Sequence, residues 1–393
     1  MGILDDEFRA ALDALGRDSL RRHLREIGSA HAPRIEADGR QFIMLSSNNY
    51  LGLAAHPALK RAAADAIDRY GVGAGASRLI AGSLAPLHEL EARIARLKRV
   101  EAALVFGSGY LANIGAITAV AGPGDVIFSD ELNHASLIDG CRLSKAAIQI
   151  YRHRDVDHLA ALLRESHDAR RRLIVTDSVF SMDGDCAPLA EIVDLARRHR
   201  AAVMIDEAHA IGVVGPGGAG LAAKLGLEKE IDIHAGTLSK ALGAYGAYIA
   251  GSSPLVDFLI NRARSFIFST GLPPAMAAAA SAALNLIESD PTLIERLWDN
   301  AEYLRGELIA AGFTIAPTQT PIIPVMIGAS YAAINMSAGL LERGIYVIAI
   351  RPPTVPEGTS RLRVTPTAAH TRADLDEAVM AFTAAGRGLG LIS

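Results

Sequence analysis

The sequence predicts an α/β fold built on a mostly parallel sheet, followed by a smaller α+β lobe. Two observations carry this reading. Between residues 100 and 250, short apolar runs alternate with helical stretches: Leu104-Val105-Phe106, Val126-Ile127-Phe128, Leu173-Ile174-Val175, Val203-Met204-Ile205 and Ala247-Tyr248-Ile249-Ala250. Such alternation is the pattern of strands joined by crossover helices. Glycine or an acid then follows or ends four of these regions, at Gly107, Asp130, Asp177 and Asp206. Open parallel sheets bind ligands beyond the carboxyl ends of their strands, so these residues fall where a site belongs. The chain has 393 residues and is 50% hydrophobic, enough for a large core and for more than one lobe.

Taken in order, residues 1–45 read as an N-terminal helix and a short extended arm. Residues 46–275 form the expected large domain, and 276–393 the small C-terminal one. Ala58 to Tyr70 has helical patterning, and residues 71–83 form a Gly/Ala/Ser loop. After Pro273 comes a long helical stretch. Strands are expected near Ile322–Met326, Tyr346–Ile348 and Leu362–Val364. The apolar stretch Ala275–Leu286 is short and closed by Glu288 and Asp290, which predicts a core helix and no membrane span. Met1 to Ala10 is acidic and lacks an apolar h-region, so no signal peptide is expected. The net charge is −4, which gives no nucleic-acid footprint; Arg170–Arg172 and the pair Arg21 and Arg22 read as solvated clusters. Cys141 and Cys186 are the only cysteines. That usage suggests a reducing compartment, the cytoplasm, with no disulfide framework.

The chemistry is carried by Lys240, in Ala235-Gly236-Thr237-Leu238-Ser239-Lys240-Ala241, and by Asp206, in Val203-Met204-Ile205-Asp206-Glu207-Ala208-His209. A pyridoxal phosphate enzyme needs a lysine to form a Schiff base with the cofactor aldehyde. It also needs an acid to hold the pyridine nitrogen protonated, so that the ring accepts electrons. Asp206 ends an apolar strand, Lys240 stands in a small-residue loop after another, and the Thr237 hydroxyl is placed to bind phosphate.

Other motifs have bland readings beside the functional ones. Gly107-Ser108-Gly109-Tyr110 opens a helix after a strand; backbone N–H groups there bind phosphate, or the segment is an ordinary turn. His134 starts a helix after Asp130 and is open to ring stacking, metal ligation or a capping role. Metal is disfavoured because no tight ligand cluster follows. Ser181, in the segment after Asp177, reads as a cofactor or substrate contact or as a turn serine. Arg351 and Arg363 flank a Pro-rich segment and suit carboxylates, or surface ion pairs. Asp206-Glu207-Ala208-His209 spells a helicase box, but the chain has no Gly-Lys dipeptide for a phosphate loop, which excludes that class. Gly215-Pro216-Gly217-Gly218-Ala219-Gly220 matches a dinucleotide fingerprint in spacing only. Pro216 spoils the turn and no acid stands near twenty residues on, so a surface loop is the better reading. An NAD-dependent dehydrogenase remains as a distant alternative.

These stretches together resemble the α-oxoamine synthase family, a branch of pyridoxal phosphate fold type I, the aspartate-aminotransferase-like transferases. The resemblance runs from about Leu20 to His370 and includes Ser46–Leu53, Gly75–Gly82, Asn133–Ser136, Phe180–Asp185, Asp206–His209 and Thr237–Lys240. It implies pyridoxal 5'-phosphate on Lys240, with Asp206 at the pyridine nitrogen and His209 at the ring hydroxyl. His134 is implied to stack on the ring and Ser181 to lie by its oxygen. Phosphate contacts are implied from Gly109, Tyr110 and Thr237, with Thr270 given by the other subunit of a homodimer with shared active sites. Asn48 and Arg363 are the implied partners of the amino-acid carboxylate, and Arg21 and Arg351 of the acyl-thioester end. Asn49, Glu207 and Ser239 depart from the residues frequent in the family without removing a catalytic group. Ile350–Pro356 and Arg264–Thr270 resemble the branch that joins L-alanine to a pimeloyl thioester, on CoA or acyl carrier protein, in biotin synthesis. Other members use glycine or serine with different thioesters.

Overall fold

The structure is a computed structural model, and it describes residues 2–17 and 20–393. The chain divides into two compact units. One comprises Asn48–Trp298 with Gln319–Pro321; the other comprises Met1–Ser47, Asp299–Thr318 and Ile322–Ser393. The strands, in chain order, are β1 (Arg34–Ala37), β2 (Arg40–Met44), β3 (Ala102–Phe106), β4 (Val126–Asp130), β5 (Ala147–Tyr151), β6 (Arg172–Asp177), β7 (Ala202–Asp206), β8 (Ile233–Thr237), β9 (Ala247–Gly251), β10 (Ile323–Gly328), β11 (Ile345–Tyr346), β12 (Ala349–Ile350) and β13 (Ser360–Val364).

In the 48–298 unit one sheet has the order β3-β9-β8-β7-β6-β4-β5. Strands β5, β4, β6, β7 and β8 are mutually parallel, and β9 runs antiparallel to both β3 and β8. The carboxyl ends of β3, β4, β6, β7 and β8 therefore share one edge. Central strands read as unbroken apolar runs because helices cover both faces. Leu104, Phe106, Ile117, Ile127, Leu137, Val175, Met204 and Ile249 close into one buried core. The five apolar runs read from the sequence are all strands, and β8 is the strand expected before the lysine loop. The strand not anticipated is β5. It lies at the sheet edge, with Ala147, Gln149 and Ile150 exposed, so no continuous apolar run marks it.

The other unit holds two three-stranded sheets, β1-β2-β11 and β10-β13-β12. The helices Ser330–Glu342 and Arg372–Gly388 pack there around Leu304, Ile323, Val325, Leu340, Leu362, Val364 and Phe382. The strand expected at Tyr346–Ile348 is instead two short pieces, β11 and β12, in different sheets. No helix among the described residues is long and apolar enough to cross a membrane.

One buried ion pair sits beneath the carboxyl edge of the large sheet. Lys98 ends the helix Ala85–Lys98, and its ammonium meets the Glu207 carboxylate with both side chains fully buried. The Lys98 Nζ also donates to the Ala219 carbonyl at 2.5 Å, and Ala222 N–H donates to Glu207 at 3.1 Å. Burial by itself raises a carboxyl pKa, but the Lys98 charge, aided by His234, overcomes it and holds Glu207 at about 2. The segment 215–220 reads from the sequence as a surface loop. In the structure Gly218, Ala219 and Gly220 are buried, because the loop closes over Glu207. A Cβ on Gly220, whose φ is +110°, would lie 2.3 Å from the Glu207 carboxylate.

Removing one partner of such a pair strands a charge. Lys98→Met should lower the unfolding free energy by about 3–5 kcal/mol, read by guanidinium unfolding at pH 7. Adding Glu207→Gln should recover most of the loss, since no unpaired charge then remains; equal losses in the single and double variants would contradict the pairing. The glutamate contribution is complete above the ordinary pKa of 4.5 and should fade as pH falls toward 2.

Candidate active site

The carboxyl edge gathers most of the residues singled out in the sequence. Asp206 ends β7 and is buried. Its Oδ2 accepts from Asn113 Nδ2 at 2.7 Å and its Oδ1 from Ala208 N–H at 2.8 Å. Both of these donors to Asp206 are neutral. One register position across, Asp177 ends β6 and accepts from the His134 N–H at 2.7 Å. Burial, with the Asp206 charge adding to it, raises the Asp177 carboxyl well above the usual carboxylate range.

Lys240 follows β8 in a turn and is half-buried. Its Nζ stands 2.6 Å from His209 Nε2, and His209 Nδ1 stands 2.7 Å from the Tyr50 hydroxyl. Tyr50 and His209 are both buried, so the chain from Tyr50 to Lys240 is a fixed relay of polar atoms. Thr237 ends β8, with its hydroxyl 2.7 Å from that of Ser239 and 3.1 Å from the Gly246 carbonyl.

His134 caps the helix Ala135–Ser144. Its Nδ1 is 2.7 Å from Ser136 Oγ, which in turn accepts from Asn113 at 2.9 Å. Asn113 therefore links the His134 cap to Asp206. The imidazole pKa is pushed down by desolvation and by the Lys240 charge, while Asp206 opposes the shift. The residue is still exposed to solvent, so this shift carries no stability.

Gly109 opens the helix Gly109–Val120, capped by the Ser108 hydroxyl. A Cβ on Gly109 would meet no atom within 4 Å, so the amide end of this helix faces open space, as an anion requires. Tyr110 is exposed and its hydroxyl bonds Asp139. Ser181 is half-buried in the turn after β6, and Asn48 is exposed in the turn that carries Tyr50. Thr270 is exposed and bridges Ser77, while Gly271 N–H donates to the Ala76 carbonyl at 3.0 Å. The 71–83 loop and Thr270 are thus brought to one place from distant parts of the sequence.

Arg21, Arg351 and Arg363 belong to the other unit. Arg363 lies on β13 opposite Pro324 and is buried. Arg351 follows β12. Its Nη2 donates to the Arg21 carbonyl at 3.4 Å, and its buried Nη1 has no hydrogen-bond partner among the described residues. Burial, and then the neighbouring Arg22 charge, lower the Arg351 pKa. A buried guanidinium nitrogen left without an acceptor carries a desolvation cost.

Sequence reasoning did not assign roles to Asn113, Ser136, Tyr50 or Asp177. A signal existed for Asn113: it is the one strongly polar side chain in the otherwise apolar helix Gly-Tyr-Leu-Ala-Asn-Ile-Gly-Ala-Ile-Thr-Ala-Val. Tyr50 and Ser136 stand inside segments already singled out, but nothing local shows that they meet His209 and His134.

The profile of the family described as aminotransferase class I and II matches residues 40–382. An 8-amino-7-oxononanoate synthase from Anaeromyxobacter sp. (strain K) is 52% identical over 379 residues, covering 96% of this chain and 95% of its own. One from Geobacter sulfurreducens is 51% identical, covering 97% of this chain and 98% of its own. Among solved structures, a serine palmitoyltransferase from Sphingomonas wittichii superposes with a TM-score of 0.95 at 32% identity over 100% of both chains. An 8-amino-7-oxononanoate synthase from Francisella tularensis does so with a TM-score of 0.76 at 26% identity, over 88% of this chain and 98% of that one. Strand-end acid, lysine loop and open helix terminus thus stand on a shared frame along nearly the whole length, and the chain belongs to the aminotransferase class I and II family.

Proposed function

We propose that this protein is a pyridoxal-phosphate-dependent acyltransferase that condenses L-alanine with a pimeloyl thioester, releasing CO2 and the free thiol to give 8-amino-7-oxononanoate, the activity of a biotin-synthesis enzyme. The observation that carries this reading is the Tyr50–His209–Lys240 chain beside Asp206, in a sequence about half identical along its length to enzymes of that name. The residues present fit the cofactor. An amine, an anionic carboxylate and the open amide end of a helix are what its aldehyde, ring nitrogen and phosphate require.

When bound, pyridoxal phosphate supplies an electron sink for the pair released at the alanine α-carbon. The chain's own groups do the rest. Asp206, oriented by Asn113, would keep the ring nitrogen protonated. Lys240 would hold the cofactor aldehyde, and its amine, oriented by His209, would take the α-proton; His209 would also bond the ring hydroxyl. His134 would cover one ring face and exclude water, with Ser181 by the ring oxygen. Gly109, Tyr110 and Thr237 would hold the phosphate. Asn48 and Arg363 hold the alanine carboxylate. In balance, the α-carbon bonds the thioester carbonyl carbon, the thiolate departs with a proton, the alanine carboxylate leaves as CO2 and a proton returns to the α-carbon.

Arg351, with Arg21, takes the far end of the acyl chain. The unpartnered Nη1 of Arg351 supports this, since a pimeloyl group ends in a carboxylate that would satisfy it. The likeness to serine palmitoyltransferase keeps a second reading open, a related synthase acting on serine or glycine with another thioester. We further propose a homodimer with shared active sites, Thr270 reaching the partner's phosphate. Val72, Ile80 and Phe268, each more than 70% exposed, lie in or beside the Ser77–Thr270 junction and suit a covered surface. The two free cysteines support a reducing, cytoplasmic setting.

Lys240→Ala should abolish turnover while the folded protein still takes up the cofactor. Borohydride reduction of the parent protein followed by mass spectrometry should place the adduct on Lys240; an adduct on Lys145 or Lys224 would overturn the assignment.

Arg351→Ala should weaken the pimeloyl substrate by roughly 1.5–3 kcal/mol, a rise in KM of about ten- to a hundredfold, and leave the spectral response to alanine nearly normal. Arg363→Ala should weaken alanine first. An unchanged preference for pimeloyl over octanoyl thioester in Arg351→Ala would make the arginine structural and take away the main local support of the pimeloyl reading.

Mixing Lys240→Ala subunits with subunits altered at Thr270 and the 71–83 loop should restore part of the activity through hybrid sites. No recovery once subunit exchange is proven by native mass spectrometry would count against the shared site.

A further inference from the structure

His153 follows β5 and has no role in the chemistry above. Its ring lies between two loops, with one carboxylate at each nitrogen. Nδ1 is 2.9 Å from Asp130 Oδ1, and Nε2 is 3.0 Å from Asp185 Oδ2. Phe180 meets the ring edge-to-face, with centroids 4.4 Å apart and planes at 89°. A neutral imidazole has one N–H and one lone pair. It can donate to only one of these carboxylates and would aim its lone pair at the other. Only the imidazolium donates to both.

Each carboxylate closes a loop that carries a proposed cofactor residue. Asp130 ends β4 and also accepts the Leu132 N–H through Oδ1 and the Arg154 N–H through Oδ2, both at 2.9 Å. These bonds shape the turn that leads to His134. Asp185 also accepts from Arg154 Nη1 at 3.0 Å, and its carbonyl accepts the Phe180 N–H at 3.0 Å. With the bridge from Val179 to Cys186, this closes the hairpin that carries Ser181.

We propose that the His153 imidazolium is a positioning residue, a charged clamp that ties the His134 turn to the Ser181 hairpin and holds those two residues in register. Its importance for catalysis rests on the reading of His134 and Ser181 given above; the clamp itself does not.

The clamp has a pH range. At the ring nitrogens stand Asp130 from β4 and Asp185 from the hairpin; Arg154, next in the chain, pairs with Asp185, Glu131 accepts the His153 backbone N–H at 2.7 Å, Cys186 follows Asp185 in the chain, and buried Tyr151 ends β5. Burial works against the charged ring, but the two carboxylates outweigh it and raise His153 to about 9. Burial pushes the Cys186 thiol up to about 11 and the Tyr151 phenol higher still, so neither titrates in the same window. A histidine raised in the fold stabilises fully below its ordinary value of 6.5. That stabilisation declines as pH rises and is gone above about 9.

The test uses nitrogen NMR of the histidine rings and amide hydrogen exchange on the full chain, with kinetics of the holoenzyme beside them. Both His153 nitrogens should stay protonated at pH 8 and titrate near 9. His153→Gln, which donates to one carboxylate and carries no charge, should speed exchange at least tenfold in both residues 130–134 and residues 180–186 at pH 7. The parent protein should show the same rise only above pH 9. Asp185→Asn, a milder change, should lower the ring's titration midpoint by at least one pH unit in a folded protein. A midpoint near 6.5 in the parent, or exchange unchanged in either loop of His153→Gln, overturns the clamp whatever the activity. Faster exchange in both loops with a lowered kcat supports clamp and cofactor reading together. Faster exchange with an unchanged kcat upholds the clamp and overturns the roles given to His134 and Ser181.

Discussion

The structure depends on burying carboxylates at the carboxyl ends of parallel strands. Asp130, Asp177, Asp206 and Glu207 are each at most 5% exposed, on β4, β6 and β7 or directly after β7. A buried carboxylate without donors neutralises itself or destabilises the fold, so each needs partners from elsewhere in the chain. Asp206 takes the Asn113 amide, Asp177 the His134 backbone, Asp130 the His153 ring, and Glu207 the Lys98 ammonium. These four demands fix where the helix Gly109–Val120, the helix Ala85–Lys98 and the loops after β4 and β5 settle against the sheet edge.

The partners also sort the acids by chemistry. Asp206 and Glu207 are chain neighbours, yet their side chains diverge. Glu207 is matched by a full positive charge inside the core and has none to spare for a ligand. Asp206 is held by neutral donors, the Asn113 amide and the Ala208 N–H. That difference separates the two acids, and Asp206 is the one proposed for the pyridinium. The small residues after β7 serve the same end. A Gly-rich segment whose spacing mimics a dinucleotide fingerprint is glycine at position 220 because the Glu207 carboxylate occupies the space of a side chain.

On the other side of the site, order comes from a chain of hydrogen bonds. The Tyr50 hydroxyl and the His209 ring position the Lys240 amine through two short hydrogen bonds. A flexible lysine side chain loses its rotamer freedom there before any ligand arrives, which spares that cost at binding. His153 carries the same principle outward, from the strand ends to the loops that carry His134 and Ser181.

By itself the sequence determined the fold class, the position of the acids and glycines at strand ends, and the lysine loop. These are local properties: a buried parallel strand reads as a short apolar run, and the residues just after that run lie at its carboxyl end. The edge strand β5 was not legible because an edge half-exposed to water needs no such run. Only the tertiary structure decided who partners whom. Asn113 and Asp206 are 93 residues apart, Lys98 and Glu207 109, and Tyr50 and His209 159. Which of these meet depends on the strand order β3-β9-β8-β7-β6-β4-β5, in which chain neighbours are not always spatial neighbours. Periodicity reports the face a residue occupies, but hydrogen-bond partners across such separations are set by how whole elements pack.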